Sequence, residues 1–150
     1  MPNLLLLIHP MFGVLGILAA TWVLVDALNA NPGNHDRMKG MTKAVAVLIW
    51  LSYLVGGYWY VLHYGADKAV IIKGPWPFAH GFFMETKEHV FFMLLMIATL
   101  LPIAASEDLG NKAAQKFVAW MAGLVIALGL LMEGSGAIIS IGAKLGLMPM

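Results

Sequence analysis

Five histidines and one deeply placed glutamate are the side chains here whose types and spacing could do chemistry: His9, His35, His63, His80, His89 and Glu133. Neutral imidazole ligates haem iron, copper and zinc. Glu133 stands inside Leu-Leu-Met-Glu-Gly-Ser-Gly-Ala-Ile-Ile, in a long apolar run. An ionisable group in such a run is costly to keep and is a functional candidate by default. Its expected roles are proton transfer, for example to a quinone, or binding of a polar ligand, which makes it the one candidate catalytic residue. The alternative is a neutral acid hydrogen-bonded to Ser52, Ser140 or a backbone carbonyl.

The elements that must position these groups follow from composition. Of 150 residues, 61% are hydrophobic and 11% charged. Soluble domains are about a quarter charged, and a soluble chain this apolar would expose large hydrophobic patches. Lipid is the solvent that fits. A spanning helix needs about 20 mainly apolar residues, and four such stretches are expected, near residues 4–28, 42–63, 85–105 and 113–143. The expected fold is all-α, an integral membrane four-helix up-down bundle in a single transmembrane domain. Asn29-Ala-Asn-Pro-Gly-Asn is a dense turn signal. Residues 64–84 read as a longer loop whose aromatics suit the headgroup region. Pro102 marks a kink or stop near the end of the third helix.

Several function classes drop out. With no cysteine, disulfides, iron–sulfur ligation, thiolate haem ligation and thioether haem attachment are excluded. A net charge of +1 without a basic run argues against nucleic acid as a partner. No Lys or Arg precedes Arg37, so the first segment reads as a retained helix rather than a secretory signal.

Four spans place the start of helix 1, the end of helix 2 and the start of helix 3 on one membrane face. His9, His63, His80 and His89 therefore gather at one end, with His35 at the other. Lys and Arg near the helix ends divide five to four, which favours the histidine end on the periplasmic side of a bacterial inner membrane. Residues at i+3, i+4 and i+7 share a helix face. Below His9 come Gly13, Gly16 and Ala20; below His63 come Trp59, Gly56 and Ser52; below His89 come Met93 and Met96. Small residues in such strips admit either a flat ring or a neighbouring helix.

Haem b needs two axial histidines on different helices, and His9, His63 and His89 offer the pairs, with His80 as a further cofactor contact. Copper would use the same three histidines, with Met84 or Met93 as a soft ligand. Glu85 and His89, at i and i+4, suit a zinc ligand arrangement or an ordinary interfacial polar turn.

The pattern resembles two groups of proteins. One is the four-helix membrane b-type cytochromes, including cytochrome b561-like proteins, which have short loops and histidines near helix ends. The other is the small four-helix proteins linked to assembly of haem–copper oxidases, through His35-Asp-Arg-Met38, Tyr60-Val-Leu-His63 and Glu88-His89-Val-Phe-Phe ahead of Leu-Pro102. The first resemblance implies haem b and respiratory or quinone-linked electron transfer, within a larger complex or oligomer. The second implies a non-enzymatic factor handling copper or haem. A structural subunit without cofactor is the third reading. In two-haem b cytochromes the ligands serve both faces, whereas here they crowd one.

Overall fold

The computed structural model describes residues 2–148. They form four helices, α1 (Pro2–Leu28), α2 (His35–Lys73), α3 (Glu85–Ala104) and α4 (Lys112–Gly146), with a π-helical turn (Ala79–Met84) running directly into α3. The expected all-α up-down bundle is present, and all four helices are long and apolar enough to cross a membrane. Around the bundle, α1 packs on α2 and α4, and α3 packs on the same two helices. Helices α1 and α3 therefore lie diagonally. Large apolar side chains face outward on every helix, Val61 at 79% and Trp120 at 74% exposure among them, as lipid-facing residues do.

Sequence punctuation explains the ends. Asn29 to Asn34 closes α1 with side-chain bonds, Asn34 Nδ2 donating to the carbonyls of Asp26 and Asn29. Asn111 caps α4 by accepting the amide N–H of Ala113. Pro102 does not stop α3 at once; the helix runs two residues past it.

The largest departure from expectation is α2. Its expected span, residues 42–63, grows at both ends to 39 residues, about 58 Å of helix. Residues 35–41 are polar but contain no breaker before Gly40, and Asp36 favours the N-terminal turn. Beyond His63 the chain stays helical until Gly74-Pro75. Most of the expected 64–84 loop is thus helical, and only residues 74–78 connect α2 to the π turn.

The extra length builds a second core. The main core joins all four helices around Val23, Val45, Ala98 and Val125. The second joins Tyr64 and Ile71 of α2, Ala79 and Met84 of the π turn, and Ile139 of α4. Among the described residues none of α1 enters it. Glycines let the α2 and α4 ends meet here: Gly74 abuts Gly146, and Gly142 abuts Ala79.

Candidate functional site

Between the two cores the bundle axis carries a small cavity lined from all four helices, into whose largely apolar wall four polar side chains are set. His9 and Gly13 come from α1, Ser52 from α2, Lys87 and Phe91 from α3, and Glu133 with Gly129 from α4. Its accessible volume is about 10 Å³, room for about one water.

Two glycines create the space that the side chains fill. The Glu133 carboxylate occupies the place a Cβ on Gly13 would take, and the His9 ring lies where a Cβ on Gly56 would project. Reciprocal bonds lock His9 to Ser52. The His9 Nδ1–H donates to the Ser52 carbonyl at 2.8 Å, and the Ser52 hydroxyl donates to the His9 carbonyl at 3.1 Å. A carbonyl can only accept, so Nδ1 carries the proton and Nε2 is the free, basic nitrogen. Lys87 runs inward from the first turn of α3, and its Nζ comes to rest against Gly136.

The charged groups are close but unmated. Among the described residues the single ion pair within 4.0 Å is Arg37–Asp26, at the other end of the bundle. Among the described residues neither the Glu133 nor the Lys87 side chain makes a direct hydrogen bond. The serines expected to satisfy Glu133 do not: the Ser52 hydroxyl is committed to His9, and Ser140 is exposed.

The five histidines part company. His9 is the one that lines the cavity. His63 is half-buried, with its ring 6.5 Å from that of Trp59. His80 is buried in the second core, its Nδ1 3.0 Å from the Tyr64 hydroxyl. His89 is exposed and turns Nδ1 back to its own Glu85 carbonyl at 2.7 Å. His35 sits at the far end, its Nε2 buried and without a partner among the described residues. Met93 and Met96, aligned below His89, are exposed as well, so that face of α3 looks outward.

The small-residue strips serve packing between helices. Gly16 receives Ile49 of α2, and Gly129 of α4 receives Ile17 of α1. A porphyrin coordinated by His9 does not fit in this arrangement, since the free space beside the ring is the size of one water. Among the described residues no three His, Cys, Asp or Glu side chains stand close enough to hold a metal ion.

Lys87 is the residue that sequence reasoning passed over. It heads the inward face of α3, Lys87, Phe91, Leu94, Ala98 and Leu101, spaced alternately four and three apart. That heptad-like stripe was available in the sequence. Comparisons with known protein families, characterised proteins and solved structures find nothing that matches this chain.

Proposed function

We propose that this chain is a membrane-embedded proton-exchange subunit, in which His9, Lys87 and Glu133 share and pass on a proton. One observation carries the reading: three ionisable side chains from three helices line one water-sized cavity and make no direct ion pair. Keeping such groups in a bundle interior is expensive, and a fully bonded pair would lower that cost. A single carboxylate with two bases leaves the cluster near neutral when Glu133 and Lys87 are charged and His9 is not. An added proton can then settle on His9 Nε2 or on Glu133, and one water in the cavity can bridge them.

Such a cluster would act within a larger redox or transport complex, where a quinone is one proton acceptor of suitable chemistry. The slight Lys and Arg bias favours the π-turn end on the periplasmic side of a bacterial inner membrane. Infrared titration of the purified protein tests the reading. A protonated-carboxyl band that titrates in the native chain and disappears in Glu133→Gln is expected. A native spectrum with no titrating band attributable to Glu133 would remove the proposal.

Haem b is a second reading, favoured by the tie between His9 Nδ1 and the Ser52 carbonyl, which presents Nε2 as a ligand nitrogen. It requires α1 to part from its neighbours by the thickness of a ring. Reduced-minus-oxidised visible spectra decide it. Bands of six-coordinate haem b lost in His9→Ala would establish haem, and a featureless spectrum from haem-replete cells would dismiss it.

A further inference from the structure

We infer that the interior cluster exchanges protons with one membrane face only, the face of the π turn and the start of α3. The inference rests on the proton-exchange reading and adds a direction to it: the chain is a one-sided proton reservoir and not a path through the membrane.

The seal lies below the cluster, toward the 29–34 and 106–111 turns. There the interior is Ala20, Val23, Val45, Ala98, Leu101 and Val125, each without accessible surface. Proton transfer needs a chain of water or polar groups within hydrogen-bond reach. The next buried polar side chain along α2 is Thr42, about 15 Å of helix from Ser52. Its hydroxyl is already donated to the Lys39 carbonyl. Beyond it, both carboxylate oxygens of Asp26 accept from Arg37. Among the described residues no buried polar side chain bridges that apolar stretch.

The opposite direction is short. Lys87 belongs to the first turn of α3, and its neighbours Thr86 and Glu88 are exposed. The second core closes the axis above the cluster, so the route runs sideways, along the Lys87 stem. His9, Lys87 and Glu133 are each only partly buried, in contrast to the layer beneath. The ionisable groups nearest this route are His9 from α1, Tyr60 from α2, Glu85 and Glu88 from α3, and Glu133 from α4. Tyr60 donates to Glu88 at 2.6 Å, which fixes one carboxylate at that level. The transferred species is a proton alone, passing between water on this face and the cluster.

The absence of cysteine makes the test direct. In sealed vesicles, Lys87→Cys is treated from each side with a cationic, membrane-impermeant methanethiosulfonate. Lys68→Cys marks the π-turn side and Glu107→Cys the opposite one. Lys87→Cys should react from the Lys68 side at least tenfold faster than from the Glu107 side. Reaction from the Glu107 side, from both sides alike or from neither would overturn the inference. In the native chain, the Glu133 carboxyl band should respond to a pH jump on the Lys68 side alone. Response from the Glu107 side would defeat the sidedness and leave proton exchange standing. One-sided labelling with no titrating Glu133 would instead defeat the proton reading on which the inference rests.

Discussion

Two groups of charged side chains in the bundle are treated oppositely. At the α1–α2 turn, Asp26 accepts two bonds from Arg37, at 2.9 and 2.7 Å. The Arg37 guanidinium also lies 5.9 Å from the centre of the Trp22 ring. Both members of that pair are satisfied, and the pair clamps two helices that a short turn already joins. In the interior cluster, His9, Lys87 and Glu133 are drawn together by three helices, yet the space between them is left for a water. A satisfied pair has little reason to change protonation. Groups near one another but unbonded can trade a proton without first breaking a salt bridge. The first arrangement is what a fold needs; the second is what an exchange site needs.

Substitutions can break this contrast, beginning with the largest effect. Glu133→Gln should abolish the titrating carboxyl band while the thermal unfolding midpoint in detergent stays close to native. Asp26→Ala should do the reverse. Its unfolding midpoint should fall by several degrees, because Arg37 loses both bonds, while the infrared titration remains native. A loss of titration in Asp26→Ala would erase the distinction between the two places.

Smaller effects sharpen it. Ser52→Ala removes the hydroxyl bond to the His9 carbonyl and should cost about 1 kcal/mol in denaturant unfolding. The hydroxyl also lies 3.1 Å from Nδ1, but the residue-52 carbonyl at 2.8 Å remains, so the His9 ring should keep its Nδ1–H tautomer. Least affected should be His89→Ala. His89 is exposed and bonded only to its own helix, so stability should change by less than about 0.5 kcal/mol and titration not at all.

The bundle was legible because four long apolar stretches separated by turn residues admit few other folds in lipid. His9 and Glu133 were legible too, one above a glycine strip and the other stranded in an apolar run. What misled was the assignment of faces. In a soluble helix the apolar face is the inner face, but lipid is as apolar as the core. Apolar Met93 and Met96 below His89 therefore say nothing of which way that face looks, and they face out. The better guide on α3 was the polar residue heading a stripe of packing residues, which is Lys87. The length of α2 was hidden for a different reason. Residues 64–73 mix Asp67 and Lys68 with Val70 and Ile71, and only the second core, assembled from the π turn and α4, shows what that mixed segment packs against.

The central claim is that Lys87, Glu133 and His9 form one coupled unit, and the midpoint of the Glu133 carboxyl band in Lys87→Met tests it most directly. Coupled charges across a water-sized gap shift one another's titration by about one pH unit or more. A midpoint displaced from the native value by at least that amount, with the band otherwise retained, is predicted. An identical midpoint with and without Lys87 would mean that the two groups do not share a proton, and would contradict the account.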